Sequence, residues 1–126
     1  MLDKLVSVFY HDETLTDLGV VMGFEQEELK KNAVDELFEA LLMLETKDEL
    51  ERFIRDLCTP QEISTLAERW RVCRLLARGD LSYREINQET GASLATITRV
   101  ARFLRMESHQ GYATMLKKMK KLKIKT

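Results

Sequence analysis

The sequence predicts an all-α protein, and three observations lead to this fold class. Apolar residues recur at helical spacing along most of the chain. The 126 residues include one proline and five glycines, so few positions interrupt a helix. Ser and Thr residues followed three positions later by Glu mark several helix starts. A chain of this length fits one domain with one core.

The net charge of −1 conceals a division of charge along the chain. Residues 1–58 carry 15 acidic and 6 basic side chains, a net charge of −9, and residues 59–126 carry 6 acidic and 14 basic ones, a net charge of +8. This asymmetry predicts an acidic scaffold and a basic working surface. The alternative interpretation is that the charges only segregate onto solvated faces.

The composition argues against several other classes of protein. With 44% apolar and 33% charged residues the chain is typical of a globular protein rather than a disordered one. It has no apolar run near 18 residues and no signal-peptide pattern, so we expect no membrane partner and a cytoplasmic location. Cys58 and Cys73 lack a metal-binding spacing and are expected to be reduced thiols. His11 and His109 are isolated, and no catalytic cluster stands out, so we expect neither an enzyme nor a metal site.

Periodicity divides the chain at residue 34. Residues 1–33 predict one or two short helices and carry no assignable chemistry, so we treat them as an N-terminal extension of unassigned function. Residues 34–126 form the predicted helical domain. Its first apolar stripe comprises Val34, Leu37, Phe38, Leu41 and Leu42.

Capping signals set the next helix starts. Thr46 with Glu49, Thr59 with Glu62, and Ser82 with Glu85 are predicted capping boxes, in which the hydroxyl and the carboxylate each bond to a backbone N–H of the other residue. Pro60 suits the first position of the second of these helices, which should end at Gly79. The residues expected to face inward from it are Ile63, Leu66, Ala67, Trp70, Cys73, Leu76 and Ala77.

Residues 82–106 predict a helix-turn-helix. A short helix ends near Thr90, and Ser93 caps a second one from Leu94 to about Met106, with Ile97, Val100, Ala101 and Leu104 inward. A tight turn with a glycine, Gly91-Ala92-Ser93, separates the two. The chain ends in a further helix around Tyr112 to Met119 and a lysine-rich tail.

Such a unit predicts double-stranded DNA as the partner. The second helix would lie in the major groove, where short side chains let its backbone approach the bases. Arg84 could bind a guanine or a phosphate, and capped helix starts offer N–H groups to phosphates. The expected DNA-binding residues are Ser82, Arg84, Asn87, Ser93, Leu94, Ala95, Thr98 and Arg102.

Residues 57–104 resemble the core of the Trp repressor family. The similarity rests on Leu57 to Pro60, Arg78-Gly79, Ser82 with Arg84-Glu85, and the Ala-Thr-Ile-Thr-Arg run at 95–99, all in register. Residues 35–59 look more like the YerC-like branch of these homologues. The resemblance implies an intertwined helical homodimer, working in the bacterial cytosol at the nucleoid, that represses transcription from a palindromic operator.

The resemblance also implies a candidate effector pocket, which in this family holds L-tryptophan as corepressor. Arg69 and Arg99 match the two arginines that sandwich the indole, and Thr59 and Thr96 match the pocket threonines. Val100 and Phe103 stand where the family has glycine and serine, and their bulk opposes tryptophan. We therefore expect the Phe103 ring to fill the site as a built-in effector or as part of the core. L-tryptophan or another small molecule are the alternatives.

The first expectation is a DNA-binding regulator that needs no ligand, and two other functions are alternatives to it. The pattern TPQE…LSYREI…GAS also resembles the fourth region of sigma factors, so the chain could be a helical interaction module that binds a protein partner in transcription. The other alternative is a tryptophan-dependent repressor of tryptophan genes.

Overall fold

The computed structural model describes residues 23–122, which form six α-helices and no strand. The all-α prediction is therefore confirmed for this part of the chain. The helices are α1 Gly23–Leu42, α2 Lys47–Leu57, α3 Pro60–Arg78, α4 Tyr83–Thr90, α5 Leu94–Arg105 and α6 Gly111–Lys121. None of them is long and apolar enough to cross a membrane.

Helix α1 is a single helix of 20 residues that runs through residue 33. The boundary that we drew between residues 33 and 34 therefore falls inside a continuous helix. The other helices expected before residue 23 lie outside the described residues. The chain divides into two units between Leu50 and Glu51. Within the first unit, Val34, Phe38 and Leu42 of the predicted apolar stripe remain 47%, 57% and 86% exposed.

Two of the three predicted capping boxes are complete. The Thr59 hydroxyl accepts from the Glu62 N–H (3.1 Å), and the Glu62 carboxylate accepts from the Thr59 N–H (2.8 Å). Ser82 and Glu85 make the same pair of bonds at 3.2 and 2.7 Å. The backbone N–H groups of Thr59 and Ser82 hold the pKa of Glu62 and of Glu85, respectively, below the usual value, because each bond favours the charged carboxylate.

The box predicted at Thr46 is only half formed. Thr46 accepts from the Glu49 N–H at 3.1 Å, as predicted. The Glu49 carboxylate accepts from the N–H of Glu45 rather than from that of Thr46, also at 3.1 Å. The carboxylate thus satisfies the donor one residue before the cap, so the expectation of a reciprocal bond was wrong.

The core lies where the second half of α3 meets α4 and α5. Its buried residues are Val72, Cys73, Leu75 and Leu76 of α3, Ile86 of α4, Ala92 of the turn, and Ile97, Val100 and Ala101 of α5. Leu104 is half-buried against this core. The core prediction for α5 is therefore confirmed, apart from a partly exposed Leu104.

The inward face predicted for α3 was partly wrong. Leu66, Ala67 and Ala77 are exposed, whereas Val72 and Leu75 are buried. The buried residues of α3 are confined to positions 72–76, where α4 and α5 cover the helix. Cys73 is fully buried, as expected, and burial raises the pKa of its thiol to about 11, so the reactive thiolate is disfavoured.

Helix α6 packs against the core through aromatic and apolar side chains. The rings of Tyr112 and Trp70 stack with their centroids 6.3 Å apart, and Leu116 lies beside them against the core. The opposite face carries exposed lysines, which are Lys117, Lys118, Lys120 and Lys121. This arrangement anchors a basic helix to the unit that contains α4 and α5.

Candidate nucleic-acid interface

The turn between α4 and α5 is fixed by hydrogen bonds around a buried alanine. Gly91 adopts the left-handed conformation (φ 76°), which a residue with a side chain adopts at a cost, and its N–H donates to the Asn87 carbonyl at 2.8 Å. Ala92 is fully buried. Its N–H donates to Thr90 Oγ1 (3.0 Å), and its carbonyl accepts from Asn87 Nδ2 (2.7 Å). Both backbone groups of Ala92 are therefore satisfied by side chains of α4.

Ser93 starts α5 directly after this turn. Its hydroxyl accepts from the Thr96 N–H at 3.1 Å and lies the same distance from Thr96 Oγ1, to which it donates. The Ser93 carbonyl accepts from the Ile97 N–H at 3.0 Å. The N–H groups of Leu94 and Ala95 belong to the first turn, which has no intrahelical acceptor for them. This end of α5 is therefore suited to an anion such as a DNA phosphate.

Helix α5 separates a buried face from an exposed one. Ile97 and Val100 lie in the core. Leu94, Ala95 and Thr98 are exposed, and Thr98 shares a face of the helix with both others because it lies four positions after Leu94 and three after Ala95. The three positions predicted to meet base edges therefore form one exposed surface at the start of α5.

The remaining predicted DNA-binding residues have different environments. Arg84 is exposed on the first turn of α4, whose cap is Ser82. Arg102 is exposed, but its Nε donates to Glu107 Oε1 at 2.7 Å, which offsets part of its charge. Asn87 is half-buried, and its amide donates into the turn. The observed role of Asn87 is thus to hold the turn, and its contact with DNA stays a prediction.

The candidate effector residues are only partly brought together. The Arg99 guanidinium lies 4.4 Å from the centroid of the Phe103 ring, a cation–π contact. The Phe103 ring also stacks with His109 at 6.3 Å between centroids and with nearly parallel planes. Arg99 and Phe103 line a groove of about 390 Å³. The other residues that line it are Trp70, His109, Gly111, Tyr112 and Met115.

The other four candidates do not line this groove. Thr59 caps α3, and Thr96 bonds to Ser93 at the start of α5. Arg69 is half-buried on α3. Val100 is 1% exposed within the core and does not line the groove, so its effect on tryptophan binding stays a prediction. Val100 belongs to the buried face of α5, whereas Arg99 and Phe103 lie on a neighbouring face.

Sequence reasoning missed the aromatic residues of the groove. Helical spacing predicts that Trp70 lies in the core, and His109 stands isolated in the sequence. Trp70 stacks on Tyr112 of α6. The sequence of the loop before α6 gives no signal for the position of His109. No pattern in the sequence indicates a role for Arg74, which lines a second pocket.

The fold and this surface are those of an all-helical protein with a small, exposed face on a capped second helix. The family follows from comparison with known proteins. Residues 32–120 match the family model of the Trp repressor protein, so the chain belongs to the Trp repressor family. Proteins of this family are DNA-binding regulators of transcription and not enzymes.

Relatives and solved structures agree with this assignment. The uncharacterized protein YerC of Bacillus subtilis is 46% identical over 78 residues, which cover 62% of this chain and 74% of YerC. A Trp operon repressor homolog of Vibrio vulnificus is 39% identical over 59 residues, 47% of this chain and 58% of that protein. A Trp repressor-like structure from Staphylococcus aureus superposes with a TM-score of 0.67 at 41% identity, covering 79% of this chain and 96% of the other.

The turn generates a prediction about stability. Asn87→Ala removes the donor to the Ala92 carbonyl, which lies in a part-buried position and would be left unsatisfied. We expect the free energy of unfolding to fall by about 1–3 kcal/mol in urea denaturation. Gln88→Ala, at the exposed neighbouring position, is the control and should stay within about 0.5 kcal/mol of the wild type. Equal stability of the two variants would contradict the role of Asn87 in the turn.

Proposed function

We propose that this protein is a sequence-specific transcriptional regulator, acting as a repressor in the bacterial cytosol and at the nucleoid. One observation carries the proposal. A turn held by Asn87 and Thr90 fixes the start of α5, where Leu94, Ala95 and Thr98 form an exposed surface of short or apolar side chains.

This surface has the chemistry of base-edge recognition. The methyl groups of Ala95 and Thr98 can contact a thymine methyl, and the Thr98 hydroxyl can bond to a base-edge acceptor or donor. Arg84 supplies a guanidinium that fits the two acceptors of a guanine. The N-terminus of α5 offers N–H groups to a phosphate, which positions the helix without reading sequence.

The charge distribution supports binding to a polyanion. The half of the chain that contains α4 and α5 carries a net charge of +8. Helix α6 adds the exposed lysines at 117, 118, 120 and 121. Such charges bind phosphates by releasing counterions, with little dependence on base sequence. We therefore propose that α5 reads the base sequence and that the basic residues around it attract DNA of any sequence.

A homodimer is part of the proposal. Large apolar side chains remain exposed in the single chain on both units, including Val34 and Phe38 on α1 and Leu66 on α3, the last 50% exposed. An apolar surface of this kind is typical of an interface. A two-fold dimer would present two copies of α5 to a palindromic operator, with half-sites about 34–36 Å apart.

Substitutions on the two surfaces should have different effects on DNA binding. We expect Arg84→Ala and Thr98→Ala each to reduce discrimination between an operator and random duplex by about 1–3 kcal/mol, because each removes a base contact. Lys118→Ala is the control, and it should weaken both duplexes equally. The measurement is the Kd of each variant for a duplex enriched by the wild-type protein and for a scrambled duplex, at fixed salt.

Either of two results would contradict this assignment. The first is unchanged discrimination in both variants with native circular dichroism, which would remove α4 and α5 as the reading surface. The second is a wild-type protein that dimerises but prefers no duplex, which would favour a helical module that binds a protein partner in transcription.

The proposed regulator needs no added effector. The Phe103 ring lies in contact with Arg99, one of the two arginines that would hold an aromatic ligand, so the chain supplies this ring itself. The contact contributes about 0.5–1 kcal/mol at an exposed site. It would hold Arg99, on α5, in one position in the absence of a small molecule.

This account predicts no response to L-tryptophan. We expect the Kd for the enriched duplex to stay within about twofold when millimolar L-tryptophan is added. In this account tryptophan binding is not coupled to DNA binding, so tryptophan does not change the affinity for DNA. Phe103→Ser should weaken binding by about two- to fivefold through loss of the contact with Arg99. Met106→Ser, at an 81% exposed position, is the control. Tight binding by the wild type only with tryptophan would instead establish a tryptophan-dependent repressor.

A further inference from the structure

A second pocket lies on α3, away from the groove that contains Phe103. It has a volume of about 280 Å³ and is lined by Arg71, Arg74, Leu75, Arg78 and Glu89. The three arginines are at positions i, i+3 and i+7 of α3, a spacing that puts them on one face of the helix. Glu89 comes from α4, so the pocket connects α3 to the first helix of the predicted helix-turn-helix.

The arginines of this pocket differ in their partners. The Arg78 Nε donates to Asp80 Oδ1 at 2.7 Å, and this bond, with the nearby charges of Asp80 and Glu89, raises the pKa of Arg78. Within residues 23–122, neither Arg71 nor Arg74 forms an ion pair. The positive charge of the pocket is therefore only partly balanced by the residues that the structure describes.

Arg74 has an unsatisfied donor inside this structure. Its Nε atom is buried and has no hydrogen-bond partner among the described residues. A buried donor without an acceptor is unfavourable by about 1–3 kcal/mol, so such groups are normally satisfied. Arg71 and Arg74 both line the pocket, so an acceptor in it would meet their guanidinium groups.

We propose that Arg71 and Arg74 bind the phosphate group of a ligand in this pocket. Guanidinium groups match the oxygens of a phosphate through paired, charge-assisted hydrogen bonds. The volume lies just below the range of roughly 300–1,000 Å³ found for drug-sized ligands, which fits a small phosphate monoester. Leu75 adds an apolar side chain to the lining, and the Glu89 carboxylate can accept a hydrogen bond from a hydroxyl group of the same molecule.

The phosphate group has two sources, a small phosphorylated molecule or the backbone of DNA, and the experiment separates them. Inorganic phosphate is titrated by calorimetry into the full-length wild type, Arg74→Gln, Arg71→Gln and Arg55→Gln at constant ionic strength. Arg55 is the matched control, because it is an exposed arginine outside the pocket that pairs with Glu51 on α2. In parallel, the slope of log affinity against log salt is measured for each protein on a random duplex.

We expect saturable phosphate binding by the wild type and Arg55→Gln, weakened at least about tenfold in Arg74→Gln and Arg71→Gln with native circular dichroism. This result, with a salt slope that is unchanged in the two pocket variants, assigns the pocket to a small phosphorylated ligand. A salt slope that falls by about 0.9 in the two pocket variants, but not in Arg55→Gln, assigns it to a DNA phosphate.

Two results would overturn the proposal. In one, the wild type shows no saturable phosphate binding and no pocket variant changes the salt slope. In the other, phosphate binds the wild type and both pocket variants equally, and the salt slope of both variants equals that of the wild type. Calorimetry with phosphate requires no DNA, so a chain that prefers no DNA sequence can still confirm the pocket, and the proposed function and this site fail separately.

Discussion

The buried Ala92 is the constraint on which the rest of the site depends. A residue in the core of a turn has a backbone N–H and C=O that water cannot reach, and each needs a partner. Thr90 and Asn87 supply these partners from the end of α4. Because both come from one helix, the direction of the chain leaving the turn is set by α4.

The small residues of the turn follow from this constraint. Gly91 permits the left-handed backbone that ends α4, and Ala92 fits the space between α3, α4 and α5 that a larger side chain would overfill. Ser93 then starts α5 with a hydrogen bond from its first turn. The interruption of the helix thus converts one continuous segment into two helices whose relative position is fixed. A rigid start of α5 is what a surface for reading bases requires.

Local signals in the sequence were sufficient for the starts of α3, α4 and α5 and for much of the core. The caps at Thr59, Ser82 and Ser93 use partners three residues away, so their geometry depends little on the rest of the chain. The inward face of α3 depends instead on which helices cover it. Leu66 has the periodicity of a core residue, yet it is 50% exposed in the single chain, and the spacing alone could not show this.

Side-chain partners between elements were the least predictable part of the site. The chemistry of Asn87 permits a contact with DNA or a bond within the protein, and only the fold shows that it bonds to the Ala92 carbonyl. The contact of Arg99 with Phe103 spans one turn of α5 and was accessible through the family resemblance. The stacking of His109 on Phe103 depends on the loop before α6, where Gln110 has a positive φ of 54°. No pattern in the sequence indicates that geometry.

The central claim is that the start of α5 reads a DNA sequence. The most direct measurement is a selection of genomic DNA fragments by the purified full-length protein, at a salt concentration that suppresses nonspecific binding. The account predicts enrichment of one palindromic motif, with half-sites about one helical turn apart, without any added small molecule. Recovery of fragments that share no motif, by a protein with native circular dichroism, would contradict it.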